Sequence, residues 1–414
     1  MRQTQLFTKT RREAPADEVS KNAILLTRAG FVNKEMAGVY DWLPLGWRVI
    51  GKIKKIVAEE MEKIGSAEFL MSSLQSKELW QKTDRWSDEA VDVWFKSVLK
   101  NGAEVGFGWS HEEPITQLMT QHVGSFRDLP IFVHQFQTKM RNEARAKSGV
   151  MRGREFIMKD MYSFCRSEEE HMDFYNKTTT AYLNVFKRVG LGDITFVTSA
   201  AGGVFTDKFS HEFQTICEAG EDNIYVHKDG QVALNEEIFN EETLSKMGYK
   251  MSDFEMKKAA EVGNIFTFGT KKCEQLDLYY KDEKGEKQPV YLGSYGIGVT
   301  RLLGVLAEIF SDDKGLVWPK EVAPFRVHLI SIGEKSREWA EEIYTKLQAD
   351  GVEVLFDDRD ARAGEKFADA DLIGIPTQVI VGDKALESKL LEVKDRATGE
   401  VSNLLFEQLI GSIK

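Results

Sequence analysis

Two β-prone runs that flank a basic loop constrain this chain more than any other feature. Ile131 to Met140 is apolar and β-prone, Arg141 to Gly153 is rich in Arg and Lys, and Phe156 to Phe164 reads as a second strand. Two strands joined by a long charged loop predict an antiparallel hairpin. Arg141 and Glu143 stand two apart at the end of the first strand, so both side chains leave the same face. Arg152, Phe156 and Asp160 recur every four residues, which again selects one face of an extended strand. A nucleotide site needs such a set. Guanidinium forks bind phosphate oxygens bidentately, and an aromatic face stacks on a base with an Arg as its second plane. The same spacing fits a solvated charged hairpin with one core Phe, so spacing leaves both readings open.

Two further elements carry chemistry. Gly293-Ser294-Tyr295-Gly296-Ile297-Gly298-Val299-Thr300-Arg301 reads as a strand, a glycine turn and a helix starting near Thr300. Glycines permit close approach of backbone to a ligand, and a helix N-terminus favours an anion. Arg301 in the first turn opposes the helix dipole, which hints at a phosphate neighbour. Trp109-Ser110-His111-Glu112-Glu113 sets a hydroxyl beside two carboxylates, which suits a substrate ammonium and equally suits an exposed acidic turn.

The rest of the chain supplies a frame. Ile50, Ile53, Val57, Met61 and Ile64 recur at helical steps and predict a helix over 46–64, with Gly65 as its stop. Glu68 to Leu74 reads as a strand. Ser167 and Glu170 form a capping-box pattern that opens a helix running to about Val189. Residues 220–260 are acidic and polar and read as a small irregular surface subdomain. Trp318-Pro319 through Pro324 reads as a linker. Beyond it strands and helices alternate: strand Arg326–Ser331, helix Ser336–Gln348, strand Val352–Phe356, helix Gly364–Ile373, strands Thr377–Val381 and Leu390–Val393, and a last helix from about Asn403. Such alternation implies a mostly parallel sheet flanked by helices.

At 414 residues the chain is long enough for two or three domains. No apolar run reaches the roughly 18 residues of a membrane span, and the polar start Met1-Arg2-Gln3-Thr4-Gln5 has no apolar signal core, so the expected location is the cytoplasm. The widely spaced Cys165, Cys217 and Cys273 form neither a disulfide framework nor a zinc spacing, and the seven histidines form no ligand pair at helical spacing. No structural metal is expected. The formal net charge of −11 argues weakly against bulk nucleic-acid binding without excluding a local basic patch.

The three chemical elements occur in the order and company of a class II aminoacyl-tRNA synthetase, which the chain resembles. Gly46–Leu74 matches motif 1, Arg141-Asn142-Glu143 with Arg152 through Asp160 matches motif 2, and Gly296-Ile297-Gly298-Val299-Thr300-Arg301 matches motif 3. Met151 to Asp160, Ser210-His211-Glu212-Phe213, Ala219-Gly220-Glu221-Asp222 and Glu261-Val262-Gly263 are similar to the bacterial-type prolyl-tRNA synthetase family. Phe356-Asp357-Asp358-Arg359 and Gly374-Ile375-Pro376 look like that family's anticodon-binding domain. Several positions depart from the family pattern. Ser72 stands for Pro in motif 1, Ser110 for Thr and Trp109 for Pro in the acidic loop, and Ser294 for Cys before Tyr-Gly-Ile-Gly. Ala146-Lys147-Ser148 stands in the motif 2 loop for Pro-Arg-Phe, and Asn264 for His after Gly263. These departures touch the amino-acid pocket and the tRNA-end loop more than the ATP site.

The resemblance implies an α+β catalytic domain over 1–322, built on a six- to seven-stranded antiparallel sheet, and a C-terminal α/β anticodon-binding domain over 323–414. It implies a short segment at 223–260 where longer relatives carry an editing domain, and a homodimer through motif 1. It implies ATP-dependent activation of L-proline, with Mg²⁺, and transfer to tRNA(Pro), without editing of alanyl-tRNA in the same chain. Arg141 would meet the α-phosphate and the proline carboxylate, Phe156 the adenine, and Glu143 the nucleotide. Arg152 and Arg301 would hold the outer phosphates, and Glu261 and Asn264 would complete the ATP site. Catalysis would rest on Arg141, Glu143 and Arg301. Ser110 and Glu112 would hold the proline amine, with Phe266 and Ser294 near its ring. Two rivals share these residues: a catalytically silent relative that binds tRNA, and a synthetase for another small amino acid.

Overall fold

The computed structural model describes residues 1–200, 210–230 and 232–413. The chain forms two compact units. One contains Ala37–Val39 and Lys54–Leu302; the other contains Met1–Met36, Tyr40–Ile53 and Leu303–Lys414. No helix among the described residues is long and apolar enough to cross a membrane.

The first unit is organised by a nine-stranded sheet. Its strands are β1 (Ala67–Glu68), β2 (Ile131–Met140), β3 (Glu155–Cys165), β4 (Thr195–Ala200), β5 (Ser210–Ile216), β6 (Asp222–His227), β7 (Ala233–Asn235), β8 (Phe254–Gly269) and β9 (Tyr291–Gly298). They lie in the order β5-β4-β7-β6-β8-β9-β3-β2-β1, with a further pairing of β5 to β8. The predicted hairpin is β2 and β3, paired antiparallel from Ile131↔Phe164 to Met140↔Glu155. The pairings β1–β2 and β4–β7 are parallel and the rest are antiparallel.

The sheet is larger than the six or seven strands expected, and the difference comes partly from the segment read as irregular. Residues 222–235 supply β6 and β7, and Glu241–Met247 is a helix capped by Asn240. Ile224 and Val226 point into a small core while their neighbours Asn223, Tyr225 and His227 are only partly covered, so the alternation is weak.

The motif 1 strand is also shorter than predicted. After β1 the Phe69 amide still donates to the His134 carbonyl (2.9 Å). The Met71 amide then turns to the Gln135 side chain (3.0 Å), so a side chain takes over from the ladder. Leu74–Ser76 joins a separate three-stranded sheet with Lys96–Val98 and Glu104–Phe107.

Helix Glu168–Arg188 covers the large sheet because Phe174, Tyr175, Thr178, Ala181, Tyr182, Val185 and Phe186 recur at helical steps and are buried. Half of the predicted capping box forms. The Ser167 hydroxyl accepts from the Glu170 amide (3.2 Å), while the Glu170 carboxylate reaches the Arg166 amide (2.8 Å) instead of that of Ser167. Lys159 is fully buried beneath this helix and donates to the Tyr182 hydroxyl (2.5 Å) and the Tyr295 carbonyl (3.1 Å). Burial drives its pKa well below the ordinary lysine value.

In the second unit, strands β10 (Val327–Ser331), β11 (Val354–Asp357), β12 (Thr377–Val381), β13 (Leu391–Asp395) and β14 (Val401–Leu404) lie in the order β11-β10-β12-β13-β14. The first three are parallel and the last two antiparallel, so the sheet is mixed where a mostly parallel one was expected. Val401–Leu404 overlaps the start of the last helix expected from about Asn403. It is a strand because Asp395 Oδ1 accepts the amides of Ala397 and Thr398 (2.9 Å each) and Gly399 takes φ 75°, which turns the chain back on β13.

Arg396, 3% exposed, closes this unit. It meets Asp312 through both terminal nitrogens (2.7 Å each), and its Nε donates to the Asp371 carbonyl (3.0 Å). The Arg396 hydrogen bonds hold the Asp312 carboxyl below its ordinary pKa. A depressed carboxyl contributes stability above the unfolded-state pKa, near 3.9, and loses it as pH falls through the folded value. Asp312→Asn should therefore cost about 1–2 kcal/mol at neutral pH, since water screens the half-exposed carboxylate. The gap to wild type should close below about pH 4, as read by urea unfolding of both proteins across pH.

Candidate active site

One cavity of about 360 Å³ opens over the centre of the large sheet. Its lining includes Ser110, Glu112, Arg141, Glu143, Arg152, Phe156, Glu261, Asn264, Phe266, Ser294 and Arg301, which is every site residue named from the sequence. They come from five separate stretches of chain, and sheet register brings them together.

Strand alternation explains the floor. Phe156, Met158 and Asp160 point from one face of β3, and opposite them on β9 lie Gly298 and Gly296, at Met158↔Gly298 and Asp160↔Gly296. The run predicted as a glycine turn is thus a strand, and a central one. Its glycines serve space rather than a bend. A Cβ at Gly296 would sit 2.4 Å from Met158 Cε and 2.8 Å from Asn264 Oδ1, inside the cavity floor. The helix begins at Val299, which places Arg301 in its first turn.

The three arginines are held differently. Arg301 donates from Nε to the Met151 carbonyl (3.0 Å) and from Nη1 to the Glu261 carbonyl (2.6 Å), and approaches the Glu261 carboxylate at 3.5 Å. Arg152 joins Glu221 (2.6 Å) and Glu143 (3.0 Å). Arg141 stands over the Phe156 ring at 5.3 Å, and its Nε donates to the Trp109 carbonyl at 3.4 Å. No carboxylate among the described residues forms an ion pair with it. Burial, and then the charge of Arg301, lower its pKa. Glu143, Glu261 and Glu112 act on it from beyond ion-pair distance and oppose that lowering, so the guanidinium has carboxylates near it but none within an ion pair.

The acidic loop divides by direction. Both oxygens of Glu112 are held by hydroxyls, Oε2 by Ser110 and Oε1 by Ser294 (3.0 Å), and the carboxylate faces the cavity. Ser294, expected near a substrate ring, here reaches the carboxylate. Glu113, paired with Glu112 in the sequence reading, points the other way and is fully buried. It accepts from Arg85 (2.8 Å), Lys272 (2.5 Å) and the Thr83 hydroxyl (3.1 Å). Burial pushes its pKa up, but Lys272 and Arg85 outweigh that and hold it below the ordinary value. The loop itself is set by Gln75, whose amide donates to the Ser110 carbonyl (2.9 Å).

Several lining residues went unassigned in the sequence. Lys139 is buried and ion-paired with Asp160, and it donates to His111 Nδ1 (2.6 Å). Burial pushes His111 down to about 3, so the ring is neutral and its Nε2–H donates to the Ser72 carbonyl (3.2 Å). The period of two from Arg141 back to Lys139, and from Phe156 on to Met158, was the available signal. Glu212 accepts from Gln214 (2.9 Å) and Asn235 (2.6 Å), and burial followed by the Glu261 charge pushes it up to about 7. Only its place in the Ser210–Phe213 segment pointed to it.

The Glu113 triad makes a clear separation testable. Glu113→Ala should destabilise the fold by about 3–5 kcal/mol, because two buried cations lose their partner. Glu112→Gln should keep the wild-type melting temperature. Equal effects of the two changes on thermal unfolding would refute this division of the loop.

Comparison with known proteins places this geometry in a family. The class II core domain model of tRNA synthetases (G, H, P, S and T) matches residues 94–310, and the anticodon binding domain model matches residues 326–414. Proline–tRNA ligase of Wolbachia sp. subsp. Drosophila simulans (strain wRi) is 38% identical over 99% of this chain and 99% of that protein. The enzyme of the same name from Caulobacter vibrioides (strain NA1000 / CB15N) is 37% identical over 100% of this chain and 99% of its own length. Among solved structures, prolyl-tRNA synthetase of Cryptosporidium parvum complexed with halofuginone and AMPPNP superposes with a TM-score of 0.76. It is 17% identical, and the match covers 94% of this chain and 75% of that one. The Giardia lamblia enzyme in complex with prolyl-adenylate gives 0.75 at 18% identity, over 93% and 74% of the two chains. At those identities the structures speak for the fold, and the full-length relatives carry the assignment: the chain belongs to the prolyl-tRNA synthetase family of class II aminoacyl-tRNA synthetases.

Proposed function

We infer that this cavity activates L-proline with ATP and passes the prolyl group to tRNA(Pro). The observation that carries the reading is Arg141, a cation in a cavity with no carboxylate partner, beside an aromatic face and opposite a carboxylate clamped for an amine. In the first step a proline carboxylate oxygen attacks the α-phosphorus of ATP in line, the bond to the bridging oxygen breaks, and pyrophosphate leaves. In the second, the terminal ribose hydroxyl of the tRNA attacks the prolyl carbonyl and AMP leaves. The first step needs no general base, since a carboxylate is already ionised at neutral pH. Positioning and charge stabilisation carry it.

In this reading Arg141 bridges the α-phosphate and the proline carboxylate, and Phe156 stacks on the adenine. Glu143, Glu261 and Asn264 hold the nucleotide, and Arg152 and Arg301 take the outer phosphates. Ser110 and Glu112 bind the amine, with Phe266 and Ser294 around the ring. Mg²⁺ arrives as part of the ATP substrate. The paired state of Arg152 adds a requirement: the incoming triphosphate exchanges with the Glu221 and Glu143 carboxylates. We assign residues 323–414 to the anticodon and residues 1–322 to the chemistry, with the cytoplasm as the place of action.

Three outcomes test the reading. Arg141→Ala should lower proline-dependent ATP–pyrophosphate exchange by about 10²–10³ without unfolding the protein; exchange at the wild-type rate would remove Arg141 from its role, and exchange with a different amino acid in the wild type would favour the rival specificity. We place a homodimer contact on residues 46–74, where Trp47, Leu70 and Leu74 are exposed; sedimentation at micromolar concentration should give twice the monomer mass. Finally, residues 222–269 build the sheet of this unit, so no separate editing domain fits between β3 and β9. One missing methylene costs only about 1–3 kcal/mol of discrimination, so size alone excludes alanine weakly. Preformed alanyl-tRNA should survive incubation with the enzyme, and rapid enzyme-dependent deacylation would contradict this.

A further inference from the structure

In the proline reading Arg141 must hold its guanidinium at the reacting phosphate, and backbone groups are what aim it. Its Nε donates to the Trp109 carbonyl at 3.4 Å. On either side of it in the chain, the Met140 amide donates to the Gly108 carbonyl (3.2 Å) and the Asn142 amide to the Val93 carbonyl (2.9 Å). All three acceptors lie in or beside one small aromatic core of Trp80, Val91, Trp94 and Trp109, against which Val93 also packs. The Trp80 ring meets Trp94 edge-on at 5.0 Å and Trp109 at 5.5 Å. Trp94 fills the open face of Gly106, where a Cβ would lie 2.3 Å from the indole. Hydrogen bonds fix two of the rings: Trp80 Nε1 donates to Gln75 (3.0 Å), and Trp94 Nε1 to the Arg85 carbonyl (2.9 Å). Arg85 then closes the group. Its guanidinium stands 4.7 Å from the centre of the Trp109 ring and pairs with Glu113 at 2.8 Å, so one cation holds both ends of the acidic loop. Any residue at 109 would offer a carbonyl; the indole, 2% exposed, decides where that carbonyl stands. Related enzymes carry Pro at this place, and a proline ring fixes its own φ. Trp has no such restriction, so in this chain packing of the side chain takes over the task.

We propose that Trp109 is a positioning residue for adenylate formation: its indole, packed among Trp80, Trp94 and Arg85, fixes the carbonyl that aims the Arg141 guanidinium. Trp109 does not itself line the cavity, so it acts through Arg141 and touches no substrate. A guanidinium held in place beforehand spares the cost of ordering a long side chain when the nucleotide binds. Without the ring the backbone at 109 shifts, and a misplacement of about 1 Å costs on the order of 10² in rate. The proposal deepens the proline reading and rests on it, and on the role given there to Arg141.

The test is the first-turnover rate constant of prolyl-adenylate formation by the full chain at saturating ATP and proline, a quantity independent of how much of a variant is folded. Trp109→Ala should slow it about 10- to 100-fold. Trp109→Phe keeps an aromatic face for Trp80 and Arg85 and should stay within about threefold of wild type. In an Arg141→Ala background, adding Trp109→Ala should cost less than about threefold more, because residues that act as one unit are not additive. If Trp109→Ala does not fold, Trp109→Leu, which keeps apolar volume without the aromatic face, replaces it with the same expectation. Losses that multiply in the double variant overturn the proposal, since the ring would then act through Ser110 or another part of the site. A wild-type rate for Trp109→Ala overturns it too, as do equal losses for the Phe and Ala variants. A wild-type rate for Arg141→Ala would instead remove Arg141 from its role, and a wild type that forms no adenylate from proline would overturn the activity assignment; both are distinct from a failure of Trp109.

Discussion

The register of β3 between β2 and β9 is the constraint on which the site depends. With Asp160 opposite Gly296 and Met158 opposite Gly298, the side chains of Phe156, Met158 and Asp160 and the empty faces of two glycines meet on one side of the sheet. A slip of one residue would turn that whole set to the other face, because strand side chains alternate with a period of two. Gly296 keeps the cavity floor open, since a Cβ there would meet Met158 Cε and Asn264 Oδ1 and these side chains would have to shift. The fully buried Lys159, on the opposite face of β3, ties the strand to Tyr182 and to the Tyr295 carbonyl. The chemical face and the packing face of one strand are therefore both specified.

On that floor the charges are arranged by availability. Arg152 and Arg301 already hold carboxylates, so an anionic ligand gains from them only what it exceeds Glu221, Glu143 and Glu261 by. Arg141 holds none in an ion pair, and Glu143, Glu261 and Glu112 act on it only from longer range. Elsewhere in the lining, burial and then the charge of Glu261 push the Glu212 carboxyl up to about 7.

Much of this was readable in advance. The hairpin, the motif 1 helix (Pro44–Lys63), the helix Glu168–Arg188, most of the alternating elements beyond Pro324 and the cavity-lining residues follow from periodicity or from motif text, because they depend on neighbours two to four residues away. The misreadings have a common cause. The glycine run looked like a turn because its function, clearance from Met158 and Asn264, depends on residues 138 and 32 positions away in the chain. Residues 222–235 looked irregular because their strands are completed by partners whose pairing no local pattern announces.

By itself, then, the sequence determined most of the order of elements, the family and the set of residues that line one cavity, since local spacing governs which side chains share a strand face. Tertiary structure alone decided how those residues are used. It turned Glu112 into the cavity and Glu113 into a buried triad with Arg85 and Lys272, although the two are adjacent and identical in type. It also brought the Ser294 hydroxyl onto Glu112 across a separation of 182 residues. Hydrogen bonds of that range follow from sheet register and loop closure, which no one-dimensional pattern encodes.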